Sequence, residues 1–358
     1  MPQHGTLPSW QHKAIQTTVA LVIAAVLVGI VVALMGRNPF VVLSHLFISP
    51  LTDKFRLADA MARSCPLILC GLSVAIAFRC QAWNIGAAGQ YLTGAIAATA
   101  VGVTLTQAPG WLLIVGLLAA STTAGALYAL PAILLENRRG VPLVLSTIML
   151  NFVAINLVSY LTQGPLRGSD PAAAQTDPIA PQAYLSPLVQ GTDLHIGFIL
   201  AITLCVLTWL VMNRSTAGFA IRVVGLNPTA ALWSGIHVDR VKVGVMLLSG
   251  ACAGLAGGLQ IAGVARVLNI QASEEFGYVG IAVALLARLN PMAVPVAAML
   301  FGVLDIGAQQ VEQEPALAVP AELSMAIKGV IVLTLLVLGS RALTRRPVNA
   351  TRTREAIA

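Results

Sequence analysis

Residues 213–242 read NRSTAGFAIRVVGLNPTAALWSGIHVDRVK, a basic, polar interruption of 30 residues in a chain that is otherwise mostly apolar. The stretch carries start and stop signals for a short helix. Asn227 can cap it, Pro228 suits its first position, and residues 229–234 supply about two turns. Gly235 provides the left-handed exit. A self-contained helix between two apolar runs is a handle for something outside the membrane.

The composition says that a membrane is present. Of 358 residues, 57% are apolar and only 10% are charged, against about 25% charged in a soluble domain. This predicts an all-α, polytopic membrane protein with no room for a soluble domain of ordinary size. About ten runs are candidates for crossing a bilayer: residues 15–35, 59–78, 91–106, 111–135, 142–161, 196–212, 243–264, 276–289, 292–308 and 323–338. The run 276–289 is short, and Asn290-Pro291 breaks it from the next.

Charge sets the orientation. With the N-terminus inside, the inner segments hold 14 lysines and arginines and the outer segments hold 5. The positive-inside rule then puts both termini and the 213–242 loop in the cytoplasm. The net charge of +7 is a topology signal, not a nucleic-acid footprint. Residues 1–13 are expected as a cytoplasmic tail, 14–340 as the transmembrane domain, 163–195 as an external loop with five prolines, and 341–358 as a basic cytoplasmic tail. The spans fall into two oppositely oriented four-span halves. Each half has an interrupted segment, WNIGAAGQ (83–90) in one and 276–291 in the other. Paired interruptions of this kind point to inverted repeats around a pathway.

Few residues offer chemistry. No lysine follows a glycine, so the phosphate-cradling GxxxxGK[ST] loop is absent, as are HExxH and GxSxG. No nucleophile–base pair or metal cluster stands out, which ranks an embedded enzyme last. Cys65, Cys70, Cys80, Cys205 and Cys252 read as free thiols in apolar packing. Arg63 and Glu322 read as side chains that snorkel to an interface. Asp305 and Lys328 lie deeper, and could pair or face water. An ion- or proton-coupled secondary carrier would use that pair, and is the alternative reading. In NIGAAGQ, the amides of Asn84 and Gln90 can bond exposed backbone or a polar solute, while Gly86 and Gly89 let the chain bend. That segment reads either as a re-entrant or kinked lining of the pathway or as a small-residue packing knot.

These residues resemble a family. WNIGAAGQ is similar to the NIGxEGQ signature of membrane subunits of nucleoside-type ABC importers, in the wider group of ribose and branched-chain amino-acid permeases. Gly218, Arg222, Gly225, Asn227, Pro228, Ala230, Ala231, Gly235 and Ile236 fall where that family has its cytoplasmic G…R…G-x-N-P-x-A-A…G-I segment. SGACAGLAGG (249–258) and GIAVALLARLNP (280–291) resemble further blocks. One departure is Ala88, where the family pattern has an acid. The resemblance implies a permease in the bacterial inner membrane for a small polar solute, a nucleoside or related purine or riboside. It implies a cytoplasmic ATPase gripping the loop helix, an extracytoplasmic substrate-binding protein, and a second permease subunit in a heterodimer. It implies no cofactor and no catalysis by this chain. Gly225 and Gly235 are expected at positive-φ positions of the coupling helix, and Asn84, Gly86, Gly89 and Gln90 along the pathway.

Overall fold

The computed structural model describes residues 22–23, 25–30, 32–34, 37–170, 173–269, 275–314, 329–330 and 333–334. The expected tails and most of residues 15–35 and 323–338 lie outside the described residues. So do Glu322 and Lys328.

The described elements are helices. They run α1 (Pro39–Leu43), α2 (Ser49–Thr52), α3 (Lys54–Arg79), α4 (Ala87–Thr104), α5 (Gly110–Arg139), α6 (Leu143–Gln163), α7 (Gly197–Arg214), α8 (Thr216–Leu226), α9 (Pro228–Trp233), α10 (Val238–Gln260), α11 (Glu275–Leu286) and α12 (Val294–Gln313). A π-helical turn, Ser44–Ile48, joins α1 to α2, and another, Ile261–Ala265, extends α10. Among the described residues, six helices are long and apolar enough to cross a membrane: α3, α5, α6, α7, α10 with its π extension, and α12. Of the ten expected runs, the third is α4, with a Gly-, Thr- and Gln-containing sequence, and the eighth is α11, with only 12 residues. The first and last runs fall largely outside the described residues.

The chain divides into two compact units. In the smaller, residues 1–48 and 307–358, Gly307 lies against the backbone of Leu46, and Val28, Val32 and Val42 are buried. The larger, Ser49–Ile306, carries everything that follows.

Its centre is a three-helix crossing made by glycine. A β-carbon on Gly94 of α4 or Gly125 of α5 would run into the backbone of Gly254 on α10. One on Gly250 would meet the carbonyl of Gly125. Without a hydrophobic drive between helices in lipid, such close backbone approach supplies the packing attraction. Helix α3 is buried along most of its length, from Ala58 to Phe78. It lies antiparallel to α10, with Ser73 bonded to Ser249, and parallel to α11, with Cys70 beside Gly280 and Gly71 beside Val283. All five cysteines are free and buried, as expected.

The two ends of this unit differ. At one end, residues 164–170 and 173–196 form an ordered cover. Thr176, Ile179, Ala180 and Leu185 donate backbone N–H groups to Leu268, Arg266, Gly102 and Ala262, at 2.9 to 3.0 Å. Ile179 is fully buried against Gly102. His195, 2% exposed, accepts the Gly197 N–H on Nδ1 at 3.1 Å and packs against Gly263. At the other end lie the last turns of α3, α5 and α7 with α8, α9 and the start of α10. Lys242 pairs with Glu136 there at 3.2 Å.

Two outcomes follow from this packing. Gly254→Leu forces a side chain into the Ser121 and Gly125 backbone, so it is expected to destabilise by about 3 kcal/mol or more. Gly244→Ala has nothing within 4 Å and is expected to gain up to about 1 kcal/mol; thermal unfolding in detergent compares them. Burial holds the His195 imidazole down at about 4. A lowered folded value means that stability is fully present above about 6.5 and is lost as pH falls from there toward 4. The loss is on the order of 3 kcal/mol. His195→Asn keeps an acceptor and does not titrate, so its melting temperature should fall less over that range.

Candidate functional site

The 213–242 stretch is almost wholly helical. Ser215 caps α8 by accepting the Gly218 N–H at 3.0 Å. Asn227 ends α8 and caps α9, accepting the Ala230 N–H at 3.0 Å, with Pro228 in the first position. Gly235 leaves α9 at φ +78°, and Ile236 N–H bonds back to the Ala231 carbonyl at 3.0 Å. The capping read from the sequence is therefore present, residue by residue. A second helix, α8, precedes it, and α10 starts at Val238, inside the stretch that reads as loop.

Gly225 requires a correction. It sits inside α8, not at positive φ, and it is glycine because a β-carbon would strike the carbonyl of Arg79 at the end of α3. Gly218 is the same case against Val211 and Met212. One terminal nitrogen of Arg222, one turn before Gly225, is buried with no hydrogen-bond partner among the described residues. Helix α9 rests on Ala231, fully buried, and holds Leu232 (64% exposed) and Trp233 (88% exposed) outward, next to Leu226 at 83%. Beside them an open groove of about 510 Å³ is lined by Pro228, Thr229, Leu232, His237, Val238, Asp239 and Arg240. The sequence reading passed over these three apolar side chains. Their signal was there: Leu and Trp on a short helix in a basic, polar segment have no core to enter.

The other candidate segment is a non-helical stretch inside the bundle, tightened by a bond from the Asn84 N–H to the Ala82 carbonyl at 2.8 Å. After α3 the backbone turns at Gln81 (φ +55°) and runs without helix through residues 82–85. Ala82, Asn84 and Gly86 are buried, while Trp83 is half exposed. Asn84 bonds Ser249, which lies 11 residues into α10, so the stretch reaches roughly 16 Å in from that helix's start. This is a re-entrant path. Every polar group named on it has a partner. Asn84 Nδ2 donates to Ser249 Oγ at 2.9 Å and Gln90 Oε1 at 3.0 Å, and Asn84 Oδ1 accepts the Gly86 N–H at 2.9 Å. Ser249 passes a bond on to the Ser73 carbonyl at 2.9 Å. Thr147 accepts the Ile85 N–H at 3.3 Å. Asn151 donates to the Ile85 carbonyl at 2.9 Å and accepts the Gly89 N–H at 2.8 Å.

Both readings of NIGAAGQ thus describe part of it. The path is re-entrant, and its amides are spent on a buried knot. Asn84 and Gln90 are 0% and 2% exposed, and Gly86 and Gly89 face Thr147 and Asn151. Ala88 lies against Gly277 of α11 so closely that only glycine fits there. Thr147, Asn151 and Ser73 went unnoticed in the sequence. Thr147 and Asn151, four apart on one face of a span, were the available signal.

Two of the ionisable residues meet inside the larger unit. Asp305 bonds Arg63, Oδ2 to Nε at 3.2 Å, and the Arg63 guanidinium lies 4.8 Å over the ring of Phe276. Arg63 is therefore an inward partner rather than a snorkelling one. Lys328, read as either pairing with Asp305 or facing water, lies outside the described residues.

Against this geometry the comparisons are direct. A family model described as "Branched-chain amino acid transport system / permease component" matches residues 56–336. A glucose ABC transporter permease protein of Haloferax volcanii is 34% identical, covering 92% of this chain and 89% of its own. A guanosine ABC transporter permease protein of Bacillus subtilis is 33% identical over 78% and 81%. A nucleoside ABC transporter permease protein of Lactococcus lactis is 30% identical over 90% of each chain. Six candidate spans, a capped helix between two of them and a match over most of the length agree: the chain belongs to the branched-chain amino acid transport system / permease component family, a multi-pass membrane subunit of an ABC transporter and not an enzyme.

Proposed function

We propose that this chain forms the translocation pathway of an ATP-driven importer for a nucleoside or a related purine or riboside. Two of the relatives named above carry guanosine or nucleosides. The glucose relative, at 34%, supports a broader description of the cargo as an uncharged solute bearing a hydroxylated sugar ring.

The observation that carries the proposal is the α8–α9 handle. Its outward Leu226, Leu232 and Trp233 make an apolar knob where lipid does not reach. A cytoplasmic ATPase subunit that grips Asn227, Pro228, Ala230, Ala231 and Gly235 from outside would bury that knob. The unpaired nitrogen of Arg222 suits a carboxylate or carbonyl from the same partner. Because Gly225 seats α8 on the end of α3, a pull on α9 moves the end of a spanning helix. Gly218 seats it equally on α7.

The excess of Lys and Arg on the loops at the α8–α9 end supports a cytoplasmic placement for it, and for both termini. The cover formed by residues 164–170 and 173–196 is then the face for an extracytoplasmic binding protein. Two inverted halves fit the contacts: α3 and α10 are antiparallel at Ser73 and Ser249, and α4 and α11 begin against each other at Ala88 and Gly277. A heterodimer with a second permease subunit, in a bacterial inner membrane, completes the assembly. Asn84, Gly86, Gly89 and Gln90 serve the pathway from behind, as the hinge that fixes where α4 begins. An ion-coupled carrier is less well supported, since Asp305 is engaged with Arg63.

The test is uptake of labelled guanosine by vesicles holding the full assembly. ATP-dependent uptake is expected, and uptake driven by a proton gradient without the ATPase would overturn the reading. Replacing Leu232 and Trp233 by Ala should weaken ATPase association by about thirtyfold or more. Gly235→Val, at φ +78°, should leave the chain inserted and ATP hydrolysis uncoupled from uptake. Normal uptake by both variants would mean that α9 is not the coupling element.

A further inference from the structure

Helix α11 carries an exposed face that its position does not explain. Its first residue, Glu275, and Tyr278 one turn on, 39% exposed, both point away from the packed side, and Ala282 follows partly exposed on the same face. The helix starts deep in the bundle. Phe276 lies under Arg63, nine residues into α3 and so about 14 Å from that helix's start. Gly277 lies on Ala88, at the first turn of α4. A carboxylate and a phenol turned outward at that depth are costly against lipid and occur where water or a solute passes. Arg63, which lies over the neighbouring Phe276, is taken by Asp305, and Glu275 has no ion-pair partner among the described residues.

Tyr278 is also aimed. Its hydroxyl oxygen accepts from Asn151 Nδ2 at 3.3 Å. An oxygen that accepts in this way keeps its own O–H free to donate. Asn151 is fully buried and is fixed by the Ile85 carbonyl and the Gly89 N–H. The re-entrant stretch therefore positions the phenol, and the phenol faces outward from it.

We propose that Glu275 and Tyr278 form a solute-contact site on the wall of the pathway, with Asn151 as a positioning residue. The inference rests on the importer reading and names where its cargo is held. The ligand class is an uncharged sugar ring with a vicinal diol, free or as a nucleoside. The Glu275 carboxylate accepts from two adjacent hydroxyls, while the Tyr278 ring covers an apolar face of the sugar or base and its O–H donates to a ring or hydroxyl oxygen.

The test uses the full assembly in vesicles and a charged, water-borne methanethiosulfonate reagent. All five native cysteines are buried, so background modification is low. Glu275→Cys, Tyr278→Cys and the milder Ala282→Cys are compared with Phe152→Cys and Val153→Cys, which sit exposed on α6. The three α11 positions should react, and the α6 positions should not. On Ala282→Cys, guanosine at about ten times its half-saturating concentration should slow the reaction about tenfold. 2′,3′-Dideoxyguanosine, which lacks the diol, should slow it far less. Silence at all three α11 positions would overturn the site, because the face would then meet lipid or another subunit. Equal slowing by the two nucleosides would overturn the diol assignment. If guanosine is not transported at all, the nucleoside reading fails, and reaction of the α11 positions still decides whether this face is wet.

Discussion

A backbone that leaves the helix inside a membrane must find a partner for every N–H and C=O it uncovers, because neither lipid nor water is there to supply one. Residues 82–85 set that demand here, and much of the larger unit answers it. Asn151 covers the Ile85 carbonyl and the Gly89 N–H in the first turn of α4, Thr147 covers the Ile85 N–H, and Asn84 turns back on its own chain to cover the Gly86 N–H. Ser73 and Ser249 then tie the Asn84 amide to α3 and α10. An unpaired group in such a place costs about 1–3 kcal/mol, so this set of bonds fixes the stretch against several helices at once. It also fixes where α4 begins, and hence where α4 meets α11.

The knot connects the chemistry to the mechanics. The Asn151 Nδ2 donates both to the Ile85 carbonyl and to the Tyr278 hydroxyl. A shift of α6 against the stretch would change both together. At the basic end, Gly225 lets α8 touch the Arg79 carbonyl that ends α3, the helix from which the non-helical stretch departs. The path from the outward Trp233 to Asn84 thus runs through two short helices, one helix end and one turn. Interfaces packed backbone to backbone are poor springs and good levers, since there is little side-chain slack to absorb a displacement.

What could be read in the sequence divides along the range of the interactions. The α9 helix was legible because its signals are local: Asn227, Pro228 and Gly235 lie within nine residues and each acts on a near neighbour. The break at Asn290-Pro291 was legible for the same reason. The re-entrant stretch was only half legible. Its glycines announced irregular backbone, but Asn151 lies 62 residues from Gly89, and no local pattern ties the two. Gly225 was legible as important and misread as to cause, since a close approach to Arg79 leaves the same letter in the sequence as a positive φ. The charges at depth were legible as functional candidates. Their pairing was not, because Arg63 and Asp305 are 242 residues apart. Leu232 and Trp233 were in plain view inside the quoted stretch, hidden by attention to its polar residues.

Hydrogen exchange of the Ile85, Gly86 and Gly89 amides, measured residue by residue in the assembled protein, tests the central claim most directly. If the stretch is a bonded element within the bundle, these three amides exchange as slowly as those of α3 and α10, and Asn151→Leu speeds Gly89 while leaving α3 unchanged. Exchange of all three in the wild-type chain at the rate of an open loop would contradict the account.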